Sequence, residues 1–322
     1  MISRKFTIWA CGLLFVFGSC AEDMVKPIEN DKDAPGTVQD VKTESLPGAV
    51  KFTYTLPSDP DLLYVLAKYT NKTGKVMEFR SSFYTNSVTV EGFGDTDTYK
   101  VELYTVDRSE NRSQPQIVEV APLTPPILSC YESLSMVSDF GGMTFEMDNK
   151  FKSDLAIYVC TPDELGDMVL AETFYSAREE IVYSVRGYDA VPRRFGIFLQ
   201  DKYGNETDTL FTELTPIYER ELDKTKFREM YLQNDSRVDS YDGKMEYVWN
   251  GRISKDGDSG GVGLHTGTGT KDGPAVFTFD LGVLAKLSRF ALWAIQDEKH
   301  FYNDMSPRRY EVWGCATEPN PD

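Results

Sequence analysis

A repeated loop constrains this chain more than any other stretch. Asp107-Arg108-Ser109-Glu110-Asn111 follows Tyr104-Thr105-Val106, and 94 residues later Asp201-Lys202-Tyr203-Gly204-Asn205 follows Phe198-Leu199-Gln200. Leu123-Thr124-Pro125 recurs as Leu214-Thr215-Pro216 at an offset of 91. Asp and Asn supply side-chain hydrogen bonds to a turn, and Asn tolerates left-handed backbone, so each loop is expected to close a hairpin. A repeat of this length means two copies of one folding unit in series. Calcium ligation would need more clustered carboxylates than either loop offers.

The segments between turns have strand periodicity. Val50, Phe52, Tyr54 and Leu56 alternate with Lys51, Thr53 and Thr55, and Tyr99, Val101 and Leu103 alternate again. Leu63–Tyr69 is an apolar run and Val88-Thr89-Val90 a short one. Short alternating runs separated by turn residues over about 90 residues predict a seven-stranded sandwich. Phe52-Thr53-Tyr54-Thr55-Leu56-Pro57, with Tyr99-Lys100-Val101-Glu102-Leu103-Tyr104, resembles a fibronectin type III domain, although Tyr54 stands where that family usually carries tryptophan. The repeat extends the prediction to a second sandwich entered through Pro125-Pro126.

The last third carries different motifs. Ala275–Leu281 alternates, Leu287–Ala294 is apolar and aromatic, and Tyr310 and Val312 alternate with Arg309 and Glu311, which reads as three antiparallel strands. Val248-Trp249-Asn250-Gly251, Leu264-His265-Thr266, Phe277–Gly282, Leu287-Ser288-Arg289-Phe290 and Tyr310-Glu311-Val312-Trp313-Gly314 resemble, in order and spacing, the discoidin or coagulation-factor type C module. That resemblance implies a galactose-binding-like jelly roll of a kind that often binds carbohydrate. It also implies that the last strands of the module are missing before Asp322. Asn250 stands where that family often carries an aspartate beside a structural calcium, so no cofactor is expected, with that calcium as the alternative.

The N-terminus reads as a leader. Arg4 and Lys5 precede an apolar run from Phe6 to Phe17, too short to cross a bilayer core of about 30 Å. Phe17-Gly18-Ser19-Cys20 resembles a lipobox, which implies acylation of Cys20. Glu22 and Asp23 resemble an acidic surface-export tag.

The expected organisation is therefore all-β. Residues 1–19 form a lipoprotein signal peptide, 20–35 a tether, 36–125 a fibronectin type III-like sandwich, 126–218 a second Ig-like sandwich, and 219–322 a partial discoidin-like domain. This order resembles the surface lipoproteins that Bacteroidetes encode beside SusC/SusD-type glycan-uptake systems. The resemblance implies an outer-membrane location facing the cell exterior, a glycan ligand, and SusC/SusD-like proteins as partners. The alternative is a protein-interaction scaffold docking to the transporter, and behind that a glycan-active enzyme.

Charge supports an exported body. With 34 basic and 51 acidic residues the net charge is −17, which repels nucleic acid and anionic lipid and leaves the N-terminal lipid as the membrane attachment. Of the five cysteines, Cys130, Cys160 and Cys315 remain after the leader and lipidation; Cys130 and Cys160 are expected as buried thiols, with a disulfide as the alternative.

No catalytic residue is expected. Gly257-Asp258-Ser259-Gly260-Gly261 matches the nucleophile motif of chymotrypsin-like proteases, but His265 and His300, the two histidines of the chain, both follow Ser259, whereas that triad order puts histidine first. Gly267–Lys271 lacks the spacing of a phosphate loop. Carboxylate pairs arise by chance among 51 acidic residues, so none marks a glycosidase. Sugar binding needs an aromatic face and fixed hydrogen-bonding groups. His265, His300, Phe301, Tyr302, Arg308 and Arg309 are the candidates, in two polar loops. Trp249, Trp293 and Trp313 are expected in the core.

Overall fold

The structure is a computed structural model in which residues 32–238, 242–253, 263–266, 274–293 and 307–319 are described. The leader, Cys20, nearly all of the tether, both glycine-rich runs and the candidates His300, Phe301 and Tyr302 lie outside the described residues.

The first sandwich has seven strands: β1 (Gln39–Leu46), β2 (Ala49–Thr55), β3 (Leu62–Thr70), β4 (Val76–Ser82), β5 (Ser87–Glu91), β6 (Tyr99–Asp107) and β7 (Gln116–Val120). They form one sheet in the order β1-β2-β5 and another in the order β4-β3-β6-β7. The alternation legible in the sequence sets the registers. In the first sheet Val50 and Phe52 of β2 lie opposite Val90 and Val88 of β5; in the second, Ala67 of β3 lies opposite Leu103 of β6. These residues, with Tyr54, Val65, Tyr69 and Val101, make one buried cluster between the sheets. Each buried aliphatic or aromatic side chain contributes about 1.5–3 kcal/mol.

Tyr54, at the position where tryptophan was expected, is 3% exposed, and its hydroxyl is a buried polar atom without a hydrogen-bond partner among the described residues. Burial pushes its ionisation up. The nearby Ser81 hydroxyl offsets a little of this, but it donates to Ser87 O at 2.6 Å. An unpaired buried hydroxyl is a cost without a return. Tyr54→Phe is therefore expected to leave the urea midpoint unchanged or to raise stability by up to about 1 kcal/mol. A loss of more than about 1 kcal/mol would mean that the hydroxyl has a partner after all.

The second sandwich opens with a helix, α1 (Pro126–Ser133), which the strand periodicity did not predict. Pro126 has its ring-fixed φ at the first helical turn, where a missing N–H costs nothing. The helix buries Ile127 and Cys130. Then follow β8 (Ser135–Asp139), β9 (Gly142–Asp148), β10 (Leu155–Pro162), β11 (Met168–Ser176), β12 (Glu180–Arg186), β13 (Arg193–Asp201) and β14 (Leu210–Leu214). The sheets are β12-β9-β8 and β11-β10-β13-β14, the same order as in the first copy. The molecule is thus built on tandem β-sandwiches.

The duplication reaches individual hydrogen bonds. An isolated parallel bridge joins Pro47 to Leu123 in the first copy and Phe140 to Ile217 in the second. Gly48 N donates to Leu123 O at 3.0 Å, and Gly141 N to Ile217 O at 2.8 Å. Ser113 Oγ accepts from Thr105 N at 3.1 Å, and Thr207 Oγ1 accepts from Leu199 N at 3.0 Å.

Beyond the sandwiches, β15 (Arg228–Met230) pairs with β16 (Thr278–Asp280). Trp249 is half-buried against Phe227 and Phe279, with ring centroids 5.8 and 5.2 Å away. The other two tryptophans correct the sequence expectation: Trp293 is 61% and Trp313 86% exposed. The described residues of Leu287–Ala294 and of Tyr310–Trp313 have no regular secondary structure. Alternation buries a side chain only where a paired strand and a second sheet cover its face, and no described strand pairs with either segment.

The chain divides into two compact units. One comprises Met1–Ser135, Glu146–Val182 and Phe195–Phe211; the other comprises Met136–Phe145, Tyr183–Arg194 and Thr212–Asp322.

Candidate functional site

In the first unit the repeated loop is a rigid anchor. Asp201 Oδ1 accepts from the N–H groups of Tyr203 (2.8 Å) and Asn205 (2.9 Å), and Asn205 Nδ2 donates to Asp201 Oδ2 at 2.8 Å. Asp107 and Asn111 make the same three bonds in the first copy. The second loop does more than close its hairpin. Where the first copy has Ser109, the second has Tyr203, whose hydroxyl donates to Glu91 Oε2. Burial pushes the Tyr203 hydroxyl's ionisation up, and Glu91 adds to this. Asn205 Nδ2 also donates to Gly92 O at 3.1 Å. The Tyr203 ring lies so close over Gly92 that a Cβ there would come within 2.9 Å of it, and Gly92 has φ +84°. Glycine is required on both counts.

Beside this anchor lies a cleft of about 730 Å³. Thr73 and Lys75, from the turn between β3 and β4, form one wall. The starts of β10 and the end of β11 form the other, and Gln200–Gly204 line the remainder. Tyr175 is 74% exposed at its edge. The Asn71–Lys75 turn is itself fixed: Asn71 Oδ1 accepts from Thr73 Oγ1 (2.8 Å) and Lys75 N (2.9 Å). The cleft combines fixed turns, an exposed ring and hydrogen-bonding side chains, which suits a polar ligand with flat apolar faces.

The second unit holds an ion network. Arg186 Nη2 donates to Asp139 Oδ2 at 2.7 Å, Nη1 donates to Phe140 O at 2.6 Å, and Nη1 lies 3.9 Å from Glu219 Oε2. Glu219 Oε1 accepts from Arg289 Nε (2.7 Å) and Ser288 Oγ (2.9 Å). Burial pushes the Asp139 carboxyl up, but bonds from Thr144 and the Phe140 N–H, with Arg186 and Ser184, hold it below the usual carboxylate range. Glu219 is likewise lowered, burial being outweighed by Arg289, Ser288 and Arg186. Both carboxylates are committed to arginine and stay ionised, which is the state of a structural latch rather than of an acid-base pair.

Among the residues singled out from sequence, His265 is half-buried in the segment 263–266, and Arg308 and Arg309 are exposed in 307–319. Cys130, Cys160 and Cys315 are free thiols. Burial pushes the Cys130 thiol up to about 11, so it remains protonated at neutral pH. Among the described residues no group of three or more His, Cys, Asp or Glu could hold a metal ion. The cleft residues escaped sequence reading. The signal that could have found them is the aromatic difference inside the repeated loop, Tyr203 against Ser109.

Three families, each described as a domain of unknown function, match consecutive parts of the chain: DUF4959 over residues 35–122, DUF5126 over 123–225 and DUF5000 over 249–322. No curated protein matches. Among solved structures, the chain is similar to SusE-like protein BT2857, with 99% identity over 32% of this chain and a TM-score of 0.30. The match spans 58% of that chain. A two-domain fibronectin type III segment of chicken tenascin matches at 12% identity over 56% of this chain and 99% of its own, with a TM-score of 0.27. Domains d3–d4 of rat CD45 match at 16% identity over 38% and 79%, with a TM-score of 0.24. Over about a third of its length this chain is therefore almost identical in sequence to part of that protein.

Proposed function

We propose that this chain is a non-catalytic accessory protein of a Sus-type polysaccharide-uptake system, held on the outer face of the outer membrane by lipid on Cys20, and that it binds carbohydrate. The observation that carries this reading is the 99% identity to a SusE-like protein over a third of the chain. The lipobox-like Phe17–Cys20 stretch supports the anchor, and the discoidin-like motifs after Val248 support a sugar ligand at His265, His300, Phe301, Tyr302, Arg308 and Arg309. A net charge of −17 fits a neutral glycan better than a polyanion.

A second reading, a scaffold docking onto SusC/SusD-like components, draws on the exposure of Leu284 (81%), Trp293 (61%) and Trp313 (86%), large apolar side chains of the kind that protein interfaces cover. Two parallel assays on the full chain separate them. Retardation in gels containing neutral polysaccharide, reduced by Arg309→Ala, is the result expected of the glycan binder. Recovery with outer-membrane proteins in pull-downs, without retardation by any polysaccharide, would favour the scaffold.

A further inference from the structure

We infer that the cleft of the first unit is a carbohydrate subsite, in which a neutral pyranose stacks on Tyr175 above a notch at Ala156 and meets the amide of Gln200 on the far side. This rests on the reading of the chain as a glycan binder, and it places a contact outside the discoidin-like motifs.

The notch follows from strand register. In β10, Leu155, Ile157 and Val159 face inward and are buried, so Ala156 and Tyr158 stand on the outer face. Ala156 lies directly opposite Tyr175 on β11 and directly opposite Gln200 on β13. The three side chains therefore make one row across three strands, large, small, large. Neighbouring strands are about 4.8 Å apart, so Tyr175 and Gln200 emerge roughly 10 Å from each other with only a methyl group between them.

A cross-strand neighbour normally covers part of an aromatic ring. Alanine cannot, and Tyr175, paired near the end of the edge strand β11, is accordingly 74% exposed. The next row shows the contrast: Tyr158 stacks on Phe198 with centroids 4.7 Å apart and planes at 11°, so its ring is covered.

The far side of the notch is preset. Gln200 Oε1 accepts from Tyr158 O–H at 3.2 Å, and Nε2 donates to Glu206 Oε1 at 2.7 Å, which fixes the amide plane and leaves one N–H and one lone pair for a ligand. Lys75 and Thr73 add hydrogen-bonding groups from the opposite wall. An open aromatic face beside fixed donors and acceptors is the arrangement that recognises a pyranose, through its C–H face on the ring and its hydroxyls on the polar groups. A planar anion would gain little, because Asp154 lines the same cleft as Lys75.

The test uses the full chain in affinity gels with soluble neutral glucan, mannan, xylan and galactan. Tyr175→Ala removes the platform. Ala156→Leu fills the notch from the outer face of the sheet, where added volume displaces no core residue, and thermal melts check that both variants fold. The expected result is retardation of the unmodified protein by at least one polysaccharide, weakened about tenfold by each variant, with the melting temperature unchanged in Ala156→Leu. Retardation equal to the unmodified protein in both variants would overturn the subsite while leaving the glycan reading intact. Retardation by none of the four would count against both.

Discussion

Gly142→Val is expected to cost about 3 kcal/mol or more and to remove the second sandwich as a cooperative unit. Gly142 opens β9, and a Cβ there would lie 1.8 Å from Val185 O, with Val185 C and Arg186 Cα within 3.0 Å. All three are backbone atoms of the partner strand β12, so no side-chain rotation can relieve the overlap. Either β9 and β12 separate and lose ladder bonds, or both strands shift. Gly166→Ala is the control, since nothing lies within 4 Å of its added Cβ and only its φ of +90° opposes the change. That variant should lose about 1–2 kcal/mol. Urea unfolding followed by tyrosine and far-UV signals measures both. Equal losses in the two variants would mean that the approach of β12 to Gly142 is not a constraint.

Arg186→Met is expected to destabilise the second unit by about 1–3 kcal/mol at pH 7. It leaves Asp139 and Glu219 without the cation they share, and their side chains are only 24% and 13% exposed. Little of their area is exposed, yet they lie near the surface, so solvent screening holds the effect below that of a fully buried pair. The pH dependence follows from the direction of the shifts. Both carboxylates are lowered in the folded chain, so they contribute stability that is present above their unfolded values near 4 and is lost as the pH falls through the folded ones. The difference between Arg186→Met and the unmodified chain should therefore be larger at pH 7 than at pH 3, because below about 4 the carboxyls of the unfolded chain take up protons first. An equal difference at the two pH values would place the role of Arg186 in packing.

The parts of the fold that the sequence displayed are those in which local pattern and tertiary environment agree. Val50, Phe52 and Tyr54 alternate because β2 lies in a sheet with one buried face, and the Asp-to-Asn loops repeat because the same side-chain bonds close the same hairpin. Tertiary context was harder to read. Trp293 and Trp313 lie in apolar stretches, but an apolar stretch reports only a preference for burial, and no described strand covers them. The α1 helix follows from Pro125-Pro126, which sequence reading took as a boundary alone. The cleft was illegible for a different reason. Tyr175, Ala156 and Gln200 are 19 to 44 residues apart in the chain, and only the registers of β10 with β11 and β13 bring them into one row. His265, Arg308 and Arg309 were legible as polar groups in loops, a property that composition alone supplies.

The central claim is that the chain binds glycan without cleaving it, and calorimetric titration of the full protein with a retarding neutral polysaccharide tests it most directly. Reducing ends are assayed in the same cell after equilibration. The predicted result is saturable heat of binding with no rise in reducing ends over the unmixed controls. Saturable binding accompanied by steady release of reducing ends would contradict the non-catalytic reading, and absence of binding heat with every polysaccharide would contradict the account as a whole.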